Sequence, residues 1–226
     1  SSRWASAWCW RLALCSRGAP VLADDGGSVL AHRFDVTDAK QMEAFAAAAI
    51  ARHGRVDLWI NNAGVLEPIV STRQLTAEAL HAHFEVNVIG VLHGCQAFLK
   101  HAVDRQGEGV LINVSSGAAW RGFAGWGAYC AGKAALDRLT EVLQLEESGR
   151  GLRAYAVAPG VVDTAMQELI RGQSPEVFPD VEVFRRMKRE GSFNSVAFVA
   201  RHFLEIAFDP QKRPEGVTVR LPAEVE

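Results

Sequence analysis

Val56-Asp57-Leu58-Trp59-Ile60-Asn61-Asn62-Ala63-Gly64 carries the pattern that decides the fold. A mostly apolar run of strand length stops abruptly in small and polar loop residues, with no alternation of inside and outside positions. A strand covered on both faces reads this way, and such strands belong to parallel sheets clothed by helices. The loop residues then lie at the carboxyl end of the strand, where open α/β sheets bind their ligands.

The same unit recurs on either side. Upstream, 20–23 and 29–34 read as short strands, and Asp35-Val36-Thr37-Asp38 opens a helix over 39–52, capped by Thr37 or Asp38 and stopped by Gly54. Downstream come a long helix over 76–103, a buried strand over 109–114 ending in Ser115-Ser116-Gly117, and a helix over 127–147. A strand over 152–158 follows, ending in Pro159-Gly160. Segments 163–171 and 181–189 read as short helices in an excursion, 195–208 as a helix and 217–221 as a last strand. Strands alternating with helices predict an α/β, Rossmann-like doubly wound parallel sheet in a single domain spanning 1–226.

Composition narrows the partners. A formal net charge of −2 and a pI near 6.4 argue against nucleic acid or an anionic membrane surface. No apolar run reaches the ~18 residues a membrane span needs. Cys9, Cys15, Cys95 and Cys130 form no Cys-x-x-Cys pair and read as reduced thiols of a cytoplasmic protein, and no metal site is expected.

Chemistry enters at Tyr129-Cys130-Ala131-Gly132-Lys133. A tyrosine and a lysine four apart share one helix face, one turn from each other. A phenol titrates near ~10, and a fixed ammonium beside it favours the phenolate, so the pair can act as acid or base on a carbonyl or alcohol. The bare pair is common on solvated helices. Three polar loops, Asn61–Gly64, Ser115-Ser116 and Pro159-Gly160, converge with it on one rim of the sheet.

From about Arg17 onward the chain resembles the short-chain dehydrogenase/reductase family. The resemblance rests on Asn61-Asn62-Ala63-Gly64, on Asn87 within a long helix, and on Ser116 thirteen residues before Tyr129. Lys133 completes Tyr-x-x-x-Lys. Pro159-Gly160-Val161-Val162-Asp163-Thr164 matches the nicotinamide-side loop and Asp35-Val36 the adenine-side one. It implies an NAD(P)-dependent oxidoreductase acting on a small carbonyl or alcohol. Tyr129 exchanges the proton, Lys133 lowers the tyrosine pKa and holds ribose hydroxyls, and Ser116 polarises the substrate oxygen. Asn87, with no packing reason to sit mid-helix, holds a water that links Lys133 to solvent. Asn61, Ala63 and Gly64 let backbone approach the cofactor, and Val162 and Thr164 meet its carboxamide and pyrophosphate. Residues 163–187 resemble the sepiapterin reductase and benzil reductase branch. Arg220 replaces that branch's pterin-anchoring aspartate, which favours a dicarbonyl or aromatic ketone, with Trp120, Phe123, Trp126, Met166 and Met187 as candidate pocket walls. The resemblance also implies a homodimer or homotetramer, with Val88, Val91, Leu92, Phe98, Ala134, Leu136, Leu139 and Leu143 lying on the helices that would pair.

The first 27 residues depart from this pattern. The family opens with a strand and a Thr-Gly-x-x-x-Gly-x-Gly loop, whose N–H groups meet the pyrophosphate at a helix N-terminus. Here Gly18 is the first glycine, and three of the six tryptophans fall within the first ten residues. Read with each codon begun one base earlier, residues 5–11 can encode Gly-Ile-Gly-Leu-Val-Leu-Ala. The expectation is a frameshift or mis-called start; a nucleotide sequence with no glycine-rich alternate frame would refute it. Asp24, at the end of the second strand, favours NAD, and the sepiapterin-like branch favours NADP, so both remain open. The rival reading is a silent family remnant that keeps the fold and self-association. A nucleotide-sugar epimerase shares Tyr-x-x-x-Lys but needs a larger substrate domain.

Overall fold

The computed structural model describes residues 8–9, 30, 32–102 and 109–225. Two short strands, β1 (Trp8–Cys9) and β2 (His32–Arg33), pair antiparallel, with Trp8 opposite Arg33 and Cys9 opposite His32. The family's opening strand would run parallel in the main sheet, so this pairing departs from its pattern. The strand expected over 20–23, and most of the departing segment 1–27, lie outside the described residues.

Helix α1 (Ala39–His53) follows. Asp38, rather than Thr37, caps it by accepting from the N–H groups of Lys40 and Gln41. Thr37 instead gives both its N–H and its hydroxyl to Asp35. Strand β3 (Leu58–Asn61) starts two residues later than its apolar run suggests and carries through Asn61.

The long helix expected over 76–103 is three pieces. Helix α2 (Ala77–Phe84), capped by Thr76, passes into a π-helical turn over Glu85–Ile89 and then into α3 (Gly90–Ala102). Wide turns of this kind are rare and appear mostly as single insertions in α-helices, frequently at functional sites. The remaining elements match expectation closely: β4 (Gly109–Val114), α4 (Gly127–Glu147), β5 (Leu152–Ala158), α5 (Ala165–Arg171), α6 (Val181–Glu190), α7 (Val196–Phe208) and β6 (Thr218–Arg220).

Four of these strands form one parallel sheet in the order β3-β4-β5-β6. Successive residues of a strand point to opposite faces, and both faces are covered. Leu111, Ala154 and Ala156 join Phe45, Phe98, Leu136 and Leu143 from α1, α3 and α4 on one side. Val110, Ile112, Tyr155 and Val157 meet Phe203, Ile206 and Ala207 of α7 on the other. This double cover explains the unbroken apolar runs. Val91, Phe98, Leu136 and Leu143, named above among residues for subunit pairing, are core residues of this fold. Among the described residues no helix is long and apolar enough to cross a membrane.

Candidate active site

The end of β4 and the first turns of α4 place the serine, tyrosine and lysine together. Ser116 caps a short 3₁₀ turn, Gly117–Ala119, and forms a hydrogen bond with Tyr129. Lys133, one turn along α4 and only 5% exposed, donates from Nζ to the carbonyl oxygen of Val114 at 2.7 Å. Its Nζ lies 5.7 Å from the centroid of the Tyr129 ring. Burial pulls the lysine down to about 8, with the charge of Asp137 opposing. The expectation that Lys133 lowers the tyrosine is not what dominates here: burial raises the Tyr129 phenol, and the hydrogen bond from Ser116 is the main opposing influence.

Asn87 occupies the π turn and is fully buried. Its Oδ1 accepts from the N–H of Val65 at 2.9 Å and its Nδ2 donates to the Val65 carbonyl at 2.7 Å. The same Nδ2 reaches His83 Nε2 at 2.6 Å. His83 Nδ1 lies 2.8 Å from the Glu67 carbonyl, which can only accept, so the proton sits on Nδ1 and Nε2 accepts from Asn87. Asn87 therefore has a packing reason to be there: it holds the loop after β3 by its backbone. That places Gly64 against the site, where an added Cβ would come 3.0 Å from Asn87 Oδ1 and 3.7 Å from Lys133 Nζ.

Asn61 does different work from the rest of its loop. Its side chain accepts from Trp59 Nε1 at 2.8 Å and donates to Asn113 Oδ1 at 2.8 Å, while Asn113 donates to Thr140 at 2.8 Å. This buried chain ties β3 to β4 and α4, so only the backbone of Asn61 remains to face a ligand. Gly94 makes room for it: a Cβ there would lie 2.0 Å from Asn61 Oδ1.

The Pro159-Gly160 loop is fixed by Asn194, a residue the sequence reading passed over. Asn194 Nδ2 donates to the carbonyls of Pro159 (2.8 Å) and Pro222 (3.0 Å), and its Oδ1 accepts from the Glu224 N–H at 2.8 Å. Gly160 has φ +78°, and a Cβ there would lie 2.7 Å from Asn194 Nδ2, so this position needs glycine twice over. Beyond it Val162 is half-buried and Thr164 is exposed as the residue that opens α5. Asp163 pairs with Arg171 (2.9 Å) and with Lys188, clipping α5 and α6 to the same loop. On the adenine side, Asp35 is held in its own turn by Thr37, and Val36 is buried beside Gly90.

An aromatic cluster roofs the tyrosine. Trp126 stacks on Phe178 with centroids 4.5 Å apart and stands edge-on to Tyr129 at 5.7 Å. Leu66, Ile69, Ile170 and Phe184 complete it, with Phe123 and Met166 packed at its margin. Trp120, in contrast, is 45% exposed, and Met187 is half-buried outside this cluster. Of the five expected pocket residues, Phe123, Trp126 and Met166 are therefore brought to the tyrosine.

With this geometry in view, the chain matches the family model described as short chain dehydrogenase over residues 14–174. The chain belongs to the short-chain dehydrogenase family. Among curated relatives, this short-chain dehydrogenase is 34% identical over 149 residues to a benzil reductase ((S)-benzoin forming) of Bacillus subtilis, covering 65% of this chain and 61% of that protein. It is 37% identical over 147 residues to 3beta-hydroxysteroid dehydrogenase 1 of Eggerthella lenta, covering 64% of this chain and 55% of that one. The matches thus span under two thirds of either relative's length. Among solved structures it resembles KRED1-Pglu, with TM-score 0.78 at 28% identity, covering 90% of this chain and 83% of the other.

Proposed function

We propose that this short-chain dehydrogenase reduces a ketone or dicarbonyl to an alcohol, or runs the reverse reaction, with NADH or NADPH as the hydride donor. The observation that carries the reading is the Ser116–Tyr129–Lys133 arrangement at the carboxyl end of β4, under an apolar aromatic roof. A raised phenol pKa keeps Tyr129 protonated at neutral pH, the form that can donate to a carbonyl oxygen. Ser116 donates or accepts at the same oxygen and loses nothing by staying neutral. Lys133 offers a buried positive charge and has given only one of its N–H groups to Val114, which suits it to a pair of ribose hydroxyls. The backbone of Gly64, pinned by Asn87, and the fixed Pro159-Gly160 turn suit the nicotinamide half of a dinucleotide. The cofactor supplies the hydride; the protein supplies position and the proton. The named benzil reductase relative and the aromatic roof support an aromatic ketone or dicarbonyl as substrate class.

A cytoplasmic homodimer or homotetramer fits the exposed Val142 and Leu145 on the outer side of α4. A silent remnant is the second reading, favoured by the absence from the sequence of a glycine-rich phosphate loop. Fluorescence titration with NADH and with NADPH, followed by turnover of benzil and a panel of ketones, separates the two. Tight cofactor binding without turnover of any carbonyl would count against the reductase, and no binding at all would favour the remnant.

A further inference from the structure

Three successive residues at the end of β4 clasp three residues of α4. The Val114 carbonyl takes Lys133, the Ser115 hydroxyl donates to Asp137 Oδ1, and Ser116 bonds Tyr129. On the helix side Tyr129, Lys133 and Asp137 are spaced by four and form one stripe. The proposed chemistry uses the first two and gives Asp137 no part. Yet Asp137 is 6% exposed, and its second oxygen, Oδ2, is buried with no hydrogen-bond partner among the described residues. A carboxylate in such a place needs a compensating positive charge.

We infer that Asp137 is a positioning residue of this site: its carboxylate, oriented by Ser115, keeps the Lys133 ammonium charged inside the protein. The inference rests on the proposed reaction for what that ammonium does, but not for the charge itself. The groups that bear on the pair are few. Tyr129 and Glu141 share their helix, and Glu141 is taken by Arg138. His83 comes from α2; burial and the charge of Lys133 favour its neutral form, with its bond to the Glu67 carbonyl opposing. The Ser115 hydroxyl bonds Asp137 Oδ1 from the end of β4, and the Trp120 indole lies toward the carboxyl without completing a bond to Oδ2; burial raises the Asp137 carboxyl, and both groups oppose that. Asp137 is thus the buried carboxylate one turn from Lys133, bound at the next residue of the same strand end, and it opposes the lysine's loss of its proton on burial. Without it, burial would act on Lys133 unopposed, and its proton would leave at a lower pH, as it does in buried lysines. The site would then lose the positive field that favours the phenolate.

The test is a ¹³Cε-lysine NMR titration of the full chain, with the Lys133 signal identified by its loss in Lys133→Arg. The wild-type midpoint is expected at about 8. Asp137→Asn should move it toward acid by on the order of one unit. Asp137→Glu, which keeps the charge, should restore it, and Ser115→Ala should move it less than Asp137→Asn does. An unchanged midpoint in Asp137→Asn overturns the inference. Should that variant fail to fold, a ¹³Cγ-aspartate titration of the wild type decides: Asp137 must be ionised while Lys133 is charged, and a carboxyl still protonated at neutral pH overturns the inference. In benzil turnover the alkaline fall of kcat should follow the Lys133 midpoint. Persistent turnover in Tyr129→Phe would defeat the proposed reaction and leave the titration result standing, so the two failures are distinguishable.

Discussion

The chain before Leu58 and the chain after it are held by different means. From β3 onward the loops that meet at the candidate site are each pinned by a buried side chain from elsewhere. Asn87 holds the loop after β3, Asn194 holds Pro159-Gly160, and Lys133 and Asp137 hold the end of β4. Before β3 the described structure is a two-residue antiparallel pair and one helix, and the sequence offers no glycine loop. The proton-handling half is therefore built by long-range hydrogen bonds that tolerate a divergent neighbour. Among the described residues before β3 the ties run to α3, from Glu43 to Lys100 and from the Val36 carbonyl to His93, and none of them holds a phosphate-binding loop.

The sharpest way to break this contrast is at Tyr129. Tyr129→Phe removes one hydroxyl and should cost ~10²–10⁴-fold in carbonyl turnover while the thermal midpoint stays close to wild type. A variant that keeps its turnover would remove the tyrosine from the proposed chemistry.

Next in size is Asn87→Ala. It strands the Val65 N–H, the Val65 carbonyl and His83 Nε2, each a buried group whose loss costs about 1–3 kcal/mol. Urea unfolding should show several kcal/mol lost in all, and a drop under about 1 kcal/mol would mean the loop is held by other means.

A smaller gain is expected on the other side of the comparison. Replacing the first residues by a strand and a Thr-Gly-x-x-x-Gly-x-Gly loop should tighten NADH or NADPH binding by about tenfold or more, measured by titration. Micromolar affinity in the unaltered chain would show that the second half suffices alone.

pH should pull stability and activity apart. Burial lowers Lys133 from 10.5 to about 8, so its charged form is disfavoured in the folded state. Its contribution to stability is therefore smallest below about 8 and grows as pH rises from there toward 10.5. Turnover should instead fall above about 8 as the ammonium is lost. Chemical denaturation and kcat measured across that range should move in opposite directions.

The smallest effect belongs to the surface. Leu145, 80% exposed, is expected to change stability by less than about 0.5 kcal/mol on replacement by serine. The same change should weaken self-association if α4 forms the subunit contact, and light scattering reads that directly.

Much of the parallel sheet was legible because a strand buried on both faces writes itself as an apolar run, and each loop after such a strand is punctuated by glycine, serine or asparagine. Tyr129 and Lys133 were legible because four residues apart means one helix face. What escaped was carried by bonds between distant positions. Asn113 meets Thr140 and Asn61, and Asn194 meets Pro159 and Pro222, with no local pattern to announce it. His83 was findable, since it stands four before Asn87 on the same helical stripe. Trp120 and Met187 were given to the pocket by residue type, but exposure and packing follow from the path of the chain.

The π turn at Glu85–Ile89 acts as a counted insertion. An α-helix turns about 100° per residue, and a π turn accommodates one residue more than an α turn does. Deleting a single residue between Phe84 and Gly90 would return the wide turn to an ordinary α turn, with α2 and α3 still nearly in phase. What would go is the widening that presents Asn87 to Val65 and His83, and with it the anchor of the loop bearing Gly64. In the language of insertions and deletions, this is a stretch whose length is fixed even where its side chains can vary. A deletion scan across α2 and α3 should find that a deletion here keeps the helix phase yet costs the Asn87 anchor, on a helix whose composition gives no sign of it.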